Sequence, residues 1–321
     1  MYLNYFKSKS NRYWVTVLLT GVFSFSTMMA QQPRKANTDH IKRKWLDIAY
    51  ATASSAQQLD IYLPEEGDGP FPVILNIHGG GWIGGDKVFA QVTSMLEGLK
   101  RGYAVVAINY RLSGEAIWPA QINDCKAAIR WVRTNADQYK LDPDKIAAWG
   151  SSAGGHLSAL VGTSGDVKAL EDLSQGNPEE SSRVQAVVDW FGPTDFLKMD
   201  DHLKASGVKM PMKHSTPDSP ESKLLGKNLE DAPELVKEAD PDTYVSSDDP
   251  PFLIQHGLED NLVPYQGSVL LARNLGDVLG HENVSLELFP ATRHGGPAFG
   301  SEENLERVYR YLDKHLMEQD E

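Results

Sequence analysis

Runs that are apolar residue after residue, rather than on alternate positions, recur along this chain at 71–77, 103–109, 145–149, 184–190, 252–255 and 284–289. A strand with one wet face alternates apolar and polar side chains. A run without that alternation is covered on both faces, the mark of a parallel sheet between layers of helices. Segments 46–50 and 59–63 read as an opening hairpin. Between the runs, Ile122, Cys125, Ile129 and Val132 recur at helical spacing, as do Leu305, Val308 and Leu312. Strand and helix alternating along the chain predict one α/β domain, with a mostly parallel central sheet and helices on both faces. One stretch breaks the alternation. From about 196 to 249 the sequence is rich in Lys, Met, Pro, Ser and Asp, with helical pattern only near 221–225 and 232–239. An insertion of that size, at the strand carboxyl ends where open α/β sheets bind ligands, predicts a lid-like or binding segment.

The first thirty residues have the layout of a signal peptide. Lys7, Lys9 and Arg12 precede an apolar stretch at 13–25, and small residues lead to Ala30, where cleavage is expected. The apolar run falls short of the roughly 20 residues that span a bilayer, although an uncleaved anchor is the alternative. The expected product is a secreted or periplasmic protein of residues 31–321, with no stable membrane insertion. Its balance of 44 acidic against 31 basic residues, a formal charge of −13, argues against nucleic acid as a partner, because such affinity comes from Lys and Arg meeting phosphates. The single cysteine excludes an intrachain disulfide and a Cys-rich metal module. No His or Asp pair has convincing metal-ligand spacing, and no cofactor is expected.

The chemistry-bearing residues form an ordered set. Gly150-Ser151-Ser152-Ala153-Gly154 fits G-x-S-x-G, after an apolar run and before a small-residue helix. A nucleophile on a tight strand-to-helix turn needs small residues two before and two after it, which selects Ser152 over Ser151. His78-Gly79-Gly80-Gly81-Trp82 follows the 71–77 run. Three glycines allow backbone N–H groups to turn toward an oxyanion, and the loop lacks the Gly-Lys-Ser/Thr of a phosphate loop. An acid and then a base must follow the nucleophile. Asp260 ends the 252–260 segment, with Glu259 as a neighbouring substitute. His294 lies in the loop after 284–289. The expected triad is Ser152, Asp260 and His294. His40, His202, His214, His281 and His315 read as surface, His156 and His256 as structural, and His78 as shaping the glycine loop. Cys125, Asp124 and Asp195 read as structural.

Together, HGGGWIGGDK at 78–87, NYRLSGEAIWPAQ at 109–121, GSSAGGH at 150–156, DWFGPTDF at 189–196 and PPFLIQHGLEDNLVP at 250–264 resemble bacterial α/β-hydrolase serine esterases. They are most similar to exported bifunctional acetylxylan and feruloyl esterases, related to hormone-sensitive-lipase-like esterases. The resemblance implies an α/β-hydrolase fold, the same triad, and an oxyanion hole from the N–H groups of Gly80, Gly81 and Ala153. It implies hydrolysis of acetyl or feruloyl esters on an acylated carbohydrate. Lipase relatives carry a helical cap ahead of the HGGG strand, for which only residues 31 to about 45 are available here. A reduced cap leaves an open cleft suited to bulky carbohydrate, unless the 196–249 insertion covers it. Trp82, Trp118 and Tyr265 are candidates to line that cleft. Other readings are a general small-molecule carboxylesterase, a prolyl-oligopeptidase-like exopeptidase, and a non-catalytic binding module on the same fold.

Overall fold

The computed structural model describes residues 34–317; the expected signal segment and its cleavage point lie outside the described residues. Among the described residues, eight strands form one sheet: β1 (Lys44–Ala49), β2 (Gln58–Tyr62), β3 (Phe71–Ile77), β4 (Ala104–Ile108), β5 (Leu141–Ser151), β6 (Ala186–Trp190), β7 (Phe252–Gly257) and β8 (Val284–Phe289). Their order is β1-β2-β4-β3-β5-β6-β7-β8. β1 and β2 pair antiparallel, as do β2 and β4, and the rest of the sheet is parallel. The nine helices among the described residues are α1 (Thr93–Leu96), α2 (Ala120–Thr134), α3 (Ala136–Tyr139), α4 (Ala153–Thr163), α5 (Met199–Ala205), α6 (Pro220–Leu225), α7 (Pro233–Glu238), α8 (Tyr265–Leu279) and α9 (Glu302–Leu316). None is long and apolar enough to cross a membrane.

Each side of the sheet has its own core, as the unbroken apolar runs require. On β3, Val73, Leu75 and Ile77 pack with Ile122, Cys125 and Ile129 of α2 and with Leu157 and Leu160 of α4. Ile74 points the other way, into the layer of Val308, Tyr309 and Leu312 of α9. Successive side chains of a strand face opposite sides, so a run buried on both sides must be apolar throughout. Burying one such Leu, Ile or Val is worth about 1.5–3 kcal/mol. Charged groups inside this core can be partnered. Asp124 on α2 receives Arg111 through Nε and Nη2 and Gln57 through Nε2, a structural role. Asp195 is half-buried, and its backbone N–H donates to the Asp240 carboxylate.

The insertion is not a loose excursion. Asp200 on α5 accepts from the backbone N–H groups of His214 and Ser215, closing the intervening loop. Leu224, Leu225 and Leu229 are buried, and the Leu224 carbonyl accepts from Trp118 N–H at 2.8 Å.

Burial sets the protonation of several groups. It pulls His78 and His156 down to about 4 from 6.5, so both enter the fold neutral. Below pH 6.5 the unfolded chain takes up protons that the folded chain refuses, and stability held above 6.5 is lost as pH falls towards 4. Asp189 and Asp240, lifted from 3.8 to about 6 by burial, act in the opposite sense, losing stability as pH rises through 6. Each histidine contributes at most about 3 kcal/mol. His156→Gln is therefore expected to lose less melting temperature than the wild type between about pH 7 and about pH 4.5; thermal melts at both values check it.

Candidate active site

Ser152 occupies the turn from β5 into α4 with φ 56° and ψ −124°, a region disfavoured for residues with a Cβ and costing about 1–3 kcal/mol. The turn holds because its neighbours lack side chains. A Cβ on Gly150 would overlap the carbonyl of Gly154, and one on Gly154 would overlap the carbonyl of Ile77 at the end of β3. The Ser152 N–H donates to Trp190 O at 2.8 Å, tying the turn to β6. This leaves the side chain half-buried at the top of the sheet.

His294 and Asp260 reach it from two further strand ends. Ser152 Oγ lies 2.9 Å from His294 Nε2, and His294 Nδ1 lies 2.7 Å from Asp260 Oδ2. A carboxylate only accepts, so Nδ1 carries the proton and Nε2 is free to receive the serine hydroxyl's. Asp260 Oδ1 accepts from the backbone N–H groups of Leu262 and Val263, both at 2.9 Å. That explains an acid placed two and three residues before them. Burial alone would raise this carboxyl, but hydrogen bonds from His256 and His294 outweigh it and hold it well below the usual carboxylate range. His256, read from sequence as structural, lies 3.3 Å from Asp260 Oδ2 and bonds Ser268 Oγ and Val263 O. It holds the acid in place. Glu259, the substitute acid, is exposed, its N–H donating to Thr292 O.

The glycine loop approaches the same point. His78 stacks on Tyr110 at 4.4 Å, and Gly79 N–H donates to Gln91 Oε1. Gly80 and Gly81 have φ of 119° and 60°, which glycine alone tolerates easily. Gly80 O accepts from Ile83 and Gly84. Among the described residues, no acceptor takes a hydrogen bond from the N–H of Gly80, Gly81 or Ala153. All three residues, with Ser152 and His294, line one cavity of about 910 Å³. Free N–H groups beside a hydroxyl and its base suit a developing oxyanion, and Ala153 adds the N-terminal end of α4.

Of the three expected cleft aromatics, one borders the cavity and two stand outside it. Trp82 borders the cavity but is 1% exposed, packed on His156 and Phe196, and offers no face for stacking. Trp118 is buried beside His156 and stands outside the cavity lining, as does Tyr265 at the start of α8. Besides Trp82, Trp190, Phe191 and Phe299 line it among the described residues, and Phe191 packs edge-on against His294 at 4.7 Å. The DWFGPTDF motif contained the signal, since a Phe directly after a strand's last residue sits at the mouth of the sheet.

His214 also departs from expectation. Instead of lying at the surface it is 3% exposed, facing Glu221 inside the cavity wall. Its sequence neighbours are polar, and only the fold-back of the insertion buries it. The insertion, through Met212, His214, Pro220 and Glu221, is thus what borders the cleft. Residues 34–36 merely brace the 88–90 segment. Among the described residues, no group of three or more His, Cys, Asp or Glu is gathered for a metal.

An elbow between a parallel strand and a helix, on a sheet of this order, defines the α/β-hydrolase fold. The family model described as BD-FAE matches residues 59–275, and the chain belongs to that family. It is 34% identical over 258 residues to the Mycobacterium tuberculosis protein named "Probable carboxylic ester hydrolase LipM", covering 79% of this chain and 57% of that one. The chain spans a little over half the length of the curated relatives it matches first. A solved structure described as a truncated form of carbohydrate esterase from gut microbiota superposes with a TM-score of 0.78 at 35% identity, covering 89% of this chain and all of that one. A bifunctional GH43-CE protein of Bacteroides eggerthii gives 0.76 at 35% identity, over 85% of this chain and 35% of the other.

Proposed function

We propose that this protein is an exported serine esterase that removes acetyl or hydroxycinnamoyl groups from polysaccharides or oligosaccharides through an acyl-enzyme. The carrying observation is the unbroken line of hydrogen bonds from Asp260 through His294 to Ser152, beside three unengaged N–H groups. Ser152 Oγ attacks the ester carbonyl as His294 Nε2 takes its proton. The carbonyl oxygen, now an anion, is held by the N–H groups of Gly80, Gly81 and Ala153. His294 returns the proton to the departing alcohol and then takes one from water; the resulting hydroxide adds to the acyl carbon, the bond to Ser152 Oγ breaks, and His294 gives its proton to that oxygen as the acid leaves. Asp260 fixes the imidazole tautomer and offsets its charge. Family membership and the carbohydrate-esterase neighbour support the ester and the sugar. Export rests on the n-region and apolar stretch before Ala30.

Chromatography of acids released from acetylated, feruloylated arabinoxylan, with Ser152→Ala as control, tests the substrate. Acetate or ferulate that vanishes in the variant is expected. Cleavage of p-nitrophenyl acetate with no acid from the polymer discards the carbohydrate. Asp260→Asn, which lets the imidazole adopt the wrong tautomer, is expected to lower kcat about 10⁴-fold, measured on p-nitrophenyl acetate. Fractionation of expressing cells checks export: retention in the cytoplasm overturns it.

A further inference from the structure

The cavity around Ser152 is walled differently on its two sides. Side chains alternate along β5, and Gly150 faces α4, since a Cβ there would meet Gly154. Ser151 therefore faces the opposite layer, as Trp149 does, with α1 and α9. Gln91, Ser94, Ser151 and Trp190 line the cavity on that side, and Phe299 and Gly300, from the segment after His294, complete it. A Cβ on Gly300 would stand 3.6 Å from Ser94 Oγ. The insertion walls the other side with Met212 and Pro220, and its ionisable pair, His214 and Glu221, is turned on itself.

Three neutral polar groups on the α1 side have nothing to bond. Gln91 is exposed, and its Oε1 accepts from Gly79 N–H at 2.9 Å. Only the oxygen can accept, so Nε2 is the free end of the amide, and it meets no acceptor among the described residues. That end lies beside the nucleophile: a Cβ on Gly79 would stand 3.3 Å from Gln91 Nε2 and 3.4 Å from Ser152 Cβ. The hydroxyls of Ser94 and Ser151 bond nothing among the described residues. Both oxygens keep contact with solvent, although Ser151 as a residue is only 6% exposed. No charged side chain lines this wall, so an ion finds no partner there and a neutral hydroxyl does.

We infer that Gln91, Ser94 and Ser151 form a subsite for a neutral, hydroxyl-bearing part of the substrate. The inference rests on the esterase reading above and extends it to what selects the substrate. The hydroxyls of a sugar alcohol and the phenolic hydroxyl of a hydroxycinnamoyl group share this chemistry, since each donates and accepts. Either accepts from Gln91 Nε2 and exchanges hydrogen bonds with the serine hydroxyls, over the aromatic faces of Trp190 and Phe299. A few placed polar groups on a largely apolar wall are how a pocket fixes the orientation of its ligand. A site built to bond a hydroxyl disfavours a substrate lacking it, because its own polar groups are then left unpaired.

The test compares kcat/KM of wild type, Ser94→Ala, Ser151→Ala and Gln91→Glu on acetylated xylo-oligosaccharide, methyl ferulate, methyl cinnamate and p-nitrophenyl acetate. Melting temperatures are taken alongside. The glutamate keeps the oxygen that Gly79 needs and replaces the free amide end with a second acceptor. The three variants lie on separate turns of the wall, so misfolding of one leaves the others to decide. Each is expected to cut the preference for a hydroxylated ester about two- to tenfold, the worth of one neutral hydrogen bond. A fall in the ratio of xylo-oligosaccharide to p-nitrophenyl acetate assigns the subsite to the sugar. A fall in the ratio of ferulate to cinnamate assigns it to the acyl group. Ratios that stay unmoved, an equal loss on every ester included, overturn the subsite alone. A wild type that cleaves p-nitrophenyl acetate but neither acetylated xylo-oligosaccharide nor methyl ferulate overturns the substrate reading, and the subsite with it.

Discussion

Ser152→Ala is expected to lower kcat on p-nitrophenyl acetate by about a million-fold while leaving the melting temperature nearly unchanged. Each member of a hydrogen-bonded nucleophile, base and acid works only through the others, so losing the first wastes the rest. His294→Ala is expected to cost about as much, and the double variant scarcely more, since the effects of residues acting as a unit do not add. Turnover that survives is that of the N–H groups and the cleft alone. The fold is spared because alanine retains the Cβ that already sits at φ 56°, and the lost hydroxyl bonds only His294 among the described residues. Single-turnover kinetics and labelling by a fluorophosphonate check this together: a variant that still labels or turns over at the wild-type rate removes Ser152 from the mechanism.

Gly154→Ala is expected to have the opposite profile, a loss of fold rather than of chemistry. The added methyl would overlap Ile77 O and stand 2.7 Å from His78 O. Both atoms are backbone, at the end of β3 and the start of the glycine loop, and neither can swing aside as a side chain would. α4 must lift off the sheet or the loop must shift. We expect a destabilisation of at least about 4 kcal/mol. Activity falls with it, since displacing a positioned group by about 1 Å costs on the order of a hundredfold. Gly114→Ala is the control: a Cβ there meets nothing within 4 Å, and the expected change is within about 0.5 kcal/mol. Urea titration of both proteins measures the difference.

What was legible in the sequence follows the range of the forces involved. The central strands could be read because burial on both faces leaves no room for polar positions. Ser152, Asp260 and His294 could be read because local sterics and chain order constrain where such groups sit. β5 starts at Leu141, four residues before the run that marked it, because Asp142, Pro143 and Asp144 look like a turn, while Leu141 pairs with Phe71 across an irregular register. α5 went unread for want of a sustained apolar period. Trp118 and Tyr265 sit near cleft motifs in the chain, yet helix packing turns them elsewhere. His214 lies among Lys213, Ser215 and Thr216, and its burial is decided by Asp200 and Glu221, both on other segments. Long-range docking of an irregular insertion leaves no periodic trace.

The hydrogen bond between Ser152 and His294 joins residues 142 positions apart, and His294 follows β8, the last strand in the chain and the one at the sheet's edge. Closing so wide a loop comes late in folding. Partly folded chains can bring Trp149 against Trp190 through β5 and β6 alone, yet their serine stays an ordinary alcohol until β8 docks. Recovery of hydrolysis after dilution from denaturant should therefore trail the recovery of tryptophan fluorescence. The nucleophile is chemically silent in every intermediate that leaves it exposed.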